Sequence, residues 1–204
     1  MHLFPMFLKL GDRHCLVVGA GSIAESKIEG LVDAGAKLQV VAPEATEKIR
    51  EWAHSGKLHW HQHLFQPSDL DGMFLVVAST NSTPLHEQIF AEAKKRHVLC
   101  NIVDVPHLCD FYYPAVVRRG SLQIAISTSG ESPALAQRLR KDLEAQFGPE
   151  YEQWLNHLGH LRYEIQADQS LDPETRKSRL HALVTPEAFT QFLAQEQKSH
   201  KEMT

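Results

Sequence analysis

Residues 15–24 read Cys15-Leu16-Val17-Val18-Gly19-Ala20-Gly21-Ser22-Ile23-Ala24. The apolar run Cys15–Val18 has the length of a buried strand, and a helical pattern resumes through Glu25, Lys27 and Leu31. Between them stand two glycines one residue apart. A dinucleotide site needs that order. Gly19 permits the tight strand-to-helix turn, Gly21 lets backbone approach a pyrophosphate, and the small Ala24 lets helix and strand pack closely. The helix N-terminus, at Ser22 and Ile23, then faces the anion. A lone G-x-G-x-x-A is weak, and a structural glycine turn in another α/β domain competes with it. The strand before it and the helix after it give the motif its weight.

Outward from this stretch, strand and helix alternate. Phe4–Leu10 reads as a short strand, with Gly11-Asp12-Arg13 as the turn that follows. Downstream, the pattern predicts a helix over 22–34 ended by Gly35 and a strand over 38–42 stopped by Pro43. A helix over 44–54 and a more polar strand over 58–63 come next. A continuously apolar fourth strand spans 74–78, a helix runs from Thr83-Pro84 to 96, and a fifth strand spans 98–103. Such alternation demands a parallel sheet covered on both faces. The pattern then changes. Residues 115–118 and 122–127 read as a hairpin about Arg119-Gly120, and Ser132-Pro133 launches a helix ended by Gly148-Pro149. Asp172-Pro173 and Thr185-Pro186 repeat that cap-proline signal in a strand-free tail whose polar end, 195–204, is expected to fray. The fold class is therefore α/β: a Rossmann-like parallel sheet domain over 1–113, a small β-α unit over 114–150, and a helical C-terminal domain over 151–204.

Composition limits the function. The 204 residues are 43% hydrophobic and 23% charged, as in ordinary globular chains. A formal net charge of −4 argues against general nucleic-acid binding, which needs a basic surface. No apolar run approaches the roughly 20 residues of a membrane span, and the first ten residues lack signal-peptide design. Cys15, Cys100 and Cys109 form no C-x-x-C pair and read as core residues of a reducing compartment, so a cytoplasmic location is expected.

Ligands of open α/β sheets bind beyond the carboxyl ends of the strands. Four segments occupy that edge: Gly19–Ile23, Pro43-Glu44, Ser79-Thr80-Asn81-Ser82 and Asp104-Val105-Pro106. Glu44 follows the second strand with no arginine beside it to take a 2′-phosphate, which favours NAD over NADP; the competing reading makes it a first-turn helix residue. Asp104 directly follows the buried fifth strand. It reads equally as a general base or as an aspartate bonding its own loop. Ser127-Thr128-Ser129-Gly130, ahead of a helix start, forms an anion seat. Arg118, Arg119, Arg138, Arg140 and Lys141 surround it, either as a solvated face or as partners for carboxylates. His59, His61 and His63 alternate but lack a completing ligand, so they read as a polar edge; His157, His160 and Glu164 share a helix face without further signal. No metal site is expected.

Taken together, the chain resembles the siroheme-synthase dehydrogenase/chelatase module, the precorrin-2 dehydrogenase family, in its stand-alone form. Four segments carry the resemblance: Phe4-Pro5-Met6-Phe7 with Gly11-Asp12-Arg13, Val18–Lys27, Asn101-Ile102-Val103-Asp104, and Ser127–Pro133. It implies NAD contacts at Ser22-Ile23 and Pro43-Glu44 and catalysis at Asp104, while Gly19, Gly21, Ser79 and Thr80 are expected to bind the cofactor from their place in the glycine loop and on the sheet edge. Thr128, Ser129 and Gly130 are implied to line a tetrapyrrole cleft, and a substrate with many carboxylates gives Arg118 and Arg138 a task there. Some relatives have serine at Thr128, so the hydroxyl is kept with an added methyl. The implied reaction is NAD-dependent dehydrogenation of precorrin-2 to sirohydrochlorin in siroheme or cobalamin biosynthesis; some members also insert iron or cobalt. A homodimer paired through the region after residue 113 is implied, and no methyltransferase activity is expected. Two readings compete. One is an NAD-sensing regulatory module, which typically ends its second strand on an acid and needs no base at 104. The other is an NAD(P) reductase of a small keto or imine substrate, which leaves the hydroxyl-glycine segment unexplained.

Overall fold

Strand β1 (His14–Val18) is paired on both edges, with β2 (Lys37–Val41) and with β4 (Leu75–Ala78), and all three run parallel. Two more parallel strands complete the sheet. β3 (His59–His61) lies outside β2, and β5 (Leu99–Ile102) outside β4, for an order β3-β2-β1-β4-β5. The computed structural model describes residues 3–202, which form two compact units dividing between Tyr113 and Pro114.

Alternate side chains of the first unit's strands feed two apolar layers. Cys15, Val17, Val40 and Val77 pack with Ala24, Ile28 and Leu31 of α1 (Ser22–Asp33) and with Ile49 of α2 (Glu47–His54). Leu16, Val18, Val76 and Ala78 pack with Ile89 and Ala93 of α3 (Thr83–Lys95). Helices thus cover both faces, and β4 and all of β1 past His14 are buried, as a parallel sheet requires.

Three expectations about this unit need correction. Residues 3–10 form no strand: Pro5 has no N–H to donate to a ladder, and residues 3–9 are exposed, with no alternate face packed on a core. Leu10 alone of that stretch is buried, and its carbonyl accepts from Arg13 N–H. α2 begins at Glu47 rather than 44, since Thr46 is extended and its N–H donates to Ala20 O at 3.1 Å. The chain crosses the glycine loop before it can coil. β3 is also short: past His61 the chain turns on itself, with His63 N–H donating to His61 O. Of the alternating histidines, His61 meets Gln39 Oε1 at 3.1 Å, and His63 lies beyond the strand beside Asp69.

In the second unit, β6 (Ala115–Arg119) and β7 (Leu122–Ile126) form the antiparallel hairpin, turning at Gly120 with φ +55°. Four helices follow: α4 (Pro133–Gln146), α5 (Glu150–Ala167), α6 (Pro173–Ala182) and α7 (Pro186–Glu202). Ser132 Oγ accepts from Leu135 N–H at the start of α4, and Thr185 Oγ1 from Ala188 N–H at the start of α7. Tyr151 and Trp154 of α5 pack edge-on and tilted against Phe147, Phe189 and Phe192, and His157 stacks on Trp154 and Phe192. α7 stays helical to Glu202, where the polar composition led us to expect fraying; Met203 and Thr204 lie outside the described residues. Among the described residues, no helix is long and apolar enough to cross a membrane.

Candidate functional site at the carboxyl edge of the sheet

All five parallel strands present their carboxyl ends to one edge, and β1 and β4 mark where the strand order reverses direction. The glycine loop is fixed there by its neighbours. Gly19 N–H donates to Val41 O at 2.9 Å, and Ser79 N–H donates to Val18 O at 2.8 Å. Gly19 is left-handed at φ +98°, and a Cβ on it would meet Ser79 O at 2.2 Å. The fold itself therefore requires glycine at 19. Gly21 differs. Its φ is −84°, open to any residue, and a Cβ there meets nothing within 4 Å. Neither backbone nor packing explains this glycine, whereas the close approach of a ligand does.

Other groups around the loop fit a dinucleotide. Gly21 is the N-cap of α1 and offers no side chain to it, so the first-turn N–H groups at Ser22 and Ile23 point outward unsatisfied by a cap. Ile23 is 55% exposed. Thr46 Oγ1 and Thr80 Oγ1 are buried hydroxyls without a hydrogen-bond partner, one following the loop that bonds Ala20 and the other packed beside Gly19. Unpartnered buried hydroxyls are rare, and an ordered water or a bound ligand supplies the missing partner. Buried His86 holds the Thr80 carbonyl, 2.8 Å from its Nε2, which fixes the Ser79–Thr80 turn. Pro43 and Glu44 lie exposed beyond β2 on this same edge.

Asp104 stands exposed just past β5 in the left-handed region, at φ +62°, a conformation aspartate tolerates better than most residues. Its loop is pinned at both ends. Val105 N–H donates to Ile102 O, and Asp110 exchanges bonds with Cys100 through N–H to O at 2.7 Å and N–H to Oδ2 at 2.9 Å. Buried Asn101 donates from Nδ2 to Phe111 O at 2.7 Å. A carboxylate on so restrained a loop is presented in a fixed place. Lys27 of α1 places its Nζ 4.2 Å from the Tyr113 ring centroid. Burial lowers the Lys27 pKa, and the charge of Asp104 partly opposes that fall. Tyr113 keeps 40% of its surface, yet burial pushes its phenol up.

The remaining predicted residues belong to the second unit. Thr128 Oγ1 accepts from Ser132 N–H at 3.1 Å, and Ser127 Oγ from Ser129 N–H at 3.1 Å. Ser129 and Gly130 are both left-handed, at φ +53° and +85°. The hydroxyls thus shape the turn into α4 as well as lining it. Of the arginines, Arg119 is committed to structure, donating to Phe147 O and Glu144 O at the end of α4. Arg140 pairs with Glu144. Arg118 on β6 and Arg138 on α4 remain exposed, the latter 3.7 Å from Asp142.

Four residues at the first unit's edge escaped the sequence reading. Thr46, His86 and Tyr113 have no local signal. Lys27 has one, since it falls three residues after Ala24 and one before Ile28, on the apolar stripe of α1.

A family model described as "Putative NAD(P)-binding" matches residues 6–115, and one described as "Sirohaem biosynthesis protein central" matches residues 119–146. The chain is 43% identical over 145 residues to siroheme synthase of Photorhabdus laumondii, covering 71% of this chain and 31% of that protein. It is 35% identical over 177 residues to siroheme synthase 1 of Serratia proteamaculans, covering 87% of this chain and 37% of that protein. The chain thus spans about a third of the length of the curated relatives it matches. Among solved structures, it is similar to SirC, described as a precorrin-2 dehydrogenase, with TM-score 0.79 and 29% identity over 96% of this chain and all of that one.

Proposed function

The chain belongs to the family of precorrin-2 dehydrogenases and siroheme synthase N-terminal modules, and on that premise we propose that it dehydrogenates precorrin-2 to sirohydrochlorin with NAD as oxidant. The observation that carries the reading is the placement of Asp104 on the sheet edge that also holds the glycine loop.

The residues divide the work. The N–H groups at the start of α1, with the space above Gly21, hold the pyrophosphate. Glu44 holds the ribose hydroxyls, and the absence of an arginine beside it supports NAD over NADP. The hydroxyls of Thr46 and Thr80 and the turn at Ser79 complete the cofactor cradle. NAD, when bound, supplies the two-electron chemistry by accepting a hydride. The substrate must also lose a proton, and Asp104 accepts it from the macrocycle held over the edge. Precorrin-2 carries many carboxylates. Arg118 and Arg138 meet them, while Thr128, Ser129 and Gly130 seat one at the N-terminus of α4. In this reading residues 114–150 form the dimerisation and cleft unit of a homodimer, residues 151–204 a helical domain, and the enzyme works in the cytoplasm, where its three free thiols stay reduced.

Incubation with NAD and precorrin-2 under anaerobic conditions tests the reading. NADH and the sirohydrochlorin absorbance should rise together; a reductase or a sensor leaves the spectrum unchanged. Asp104→Ala should retain its circular dichroism and NAD affinity but lose about 100-fold or more in kcat. Near-wild-type turnover removes Asp104 from the mechanism.

A further inference from the structure

Asp104 is exposed, so its place is set by the backbone beneath it. That backbone is a turn over residues 102–105, closed by Val105 N–H donating to Ile102 O at 3.1 Å. Asp104 takes the third position of the turn, at φ +62°. Glycine suits such a position, and a side chain stays there only where its surroundings over-determine the backbone. A second turn follows at once, with Leu108 N–H donating to Val105 O at 3.0 Å. The carbonyls of Ile102 and Val105 thus stand on either side of Asp104, and one side chain reaches both. Cys109 Sγ lies 3.2 Å from Ile102 O and 3.3 Å from Val105 O.

A thiol carries one proton, which two acceptors at such similar distances share in a three-centre bond. Burial raises the Cys109 pKa, which keeps that proton on the sulfur. The sulfur is itself held in place. Cys109 pairs with Asn101 of β5 in an antiparallel bridge, and Asn101 Nδ2 donates to Sγ at 3.5 Å. The thiol therefore ties the Asp104 turn, on both of its sides, to the last strand of the sheet.

We propose that Cys109 is a positioning residue for the reaction proposed above, its thiol bonded to the Ile102 and Val105 carbonyls so that the left-handed turn presents the Asp104 carboxylate to the substrate. The role rests on that reaction; the geometry of the turn does not. An S–H is a weak donor, so the bonds add little to overall stability. What they supply is placement. A reacting group misplaced by about 1 Å can lose about 100-fold in rate.

Amide exchange and turnover together test the proposal. In Cys109→Ala, the Val105 amide should exchange at least about tenfold faster than in wild type, while amides of β1 and β4 keep their rates. An unchanged Val105 rate overturns the tie, and equal acceleration in β1 and β4 makes the cysteine a residue of general stability and overturns the proposal too. In turnover assays, Cys109→Ala should lower kcat about tenfold, with the precorrin-2 KM and the NAD affinity within about twofold. Cys109→Ser keeps a donor and should recover most of that loss. Cys109→Val keeps bulk without a donor, and stands in should the alanine variant not fold. It should lose as much as alanine; full activity in it means that packing suffices and overturns the proposal. In an Asp104→Ala background, Cys109→Ala should cost nothing further, whereas a second tenfold loss shows a role that does not pass through Asp104 and overturns it as well. A wild type that does not oxidise precorrin-2 removes the reaction and this role with it, while the Val105 exchange still reads the hold of the thiol on the turn.

Discussion

A Cβ on Gly19 lands 2.2 Å from a backbone oxygen that cannot move without breaking the β1–β4 junction, and the left-handed φ of +98° strains any side chain there. Gly19→Ala should therefore destabilise the protein by about 2–4 kcal/mol in urea unfolding. Gly21→Asp meets neither obstacle. It should leave stability within about 1 kcal/mol, yet lower NAD affinity more than about tenfold by calorimetric titration, because bulk and negative charge face the pyrophosphate. Unchanged affinity ends the assignment of the glycine loop. Residues of this kind are legible in sequence because turn and ligand chemistry dictate one residue type at a fixed spacing. Thr46 and His86 are not, since a threonine or histidine acquires its meaning from what lies beside it. The loop at Thr46 is brought to Ala20 from 26 positions away by the β1–β2 crossover, and no local pattern records that.

Among the elements, α6 depends on its ends to an unusual degree, for none of its residues is buried. Asp172 caps it, its Oδ1 accepting from Glu174 and Thr175 N–H groups at 3.0 Å each, and the Thr175 hydroxyl donates to Oδ2. These bonds, that of the Thr175 hydroxyl foremost, hold the Asp172 pKa below its ordinary value. A carboxyl depressed on folding contributes its stability in full above the unfolded value, about 3.9, and loses it as pH falls through the folded one. Below about pH 4, amide exchange over 175–182 should accelerate before that of β1 or β4, and Asp172→Ala should show fast exchange there at neutral pH already. The cap-proline signal made this helix legible, as period and turn chemistry did the sheet and the hairpin. The elements misjudged were those decided at a distance. Phe4–Leu10 alternates late in its run, but Pro5 cannot donate to a ladder and residues 3–9 stay exposed, and 44–46 has helical composition, but Thr46 N–H is already engaged by Ala20.

At the scale of the whole molecule, the chain holds two cores, one in the sheet of residues 1–113 and one in the aromatic packing of α5 and α7. Every group of the proposed NAD cradle, from Gly19 to Thr80, lies in the first unit. A ligand stabilises what must open to release it, by RT ln(1 + [L]/Kd), which is about 2.7 kcal/mol at a hundredfold excess over Kd. If the units open separately, that increment falls on the first alone. Amides of β1, β2, β4 and β5 that exchange through opening of unit one should then slow about 100-fold with NAD at that excess, while those of α5 and α7 keep their rates. Hydrogen exchange read residue by residue distinguishes the outcomes. Equal slowing in both sets means that the two units open as one, and that the free energy of holding the cofactor reaches the hydroxyl-glycine turn and the arginines of the second unit as well.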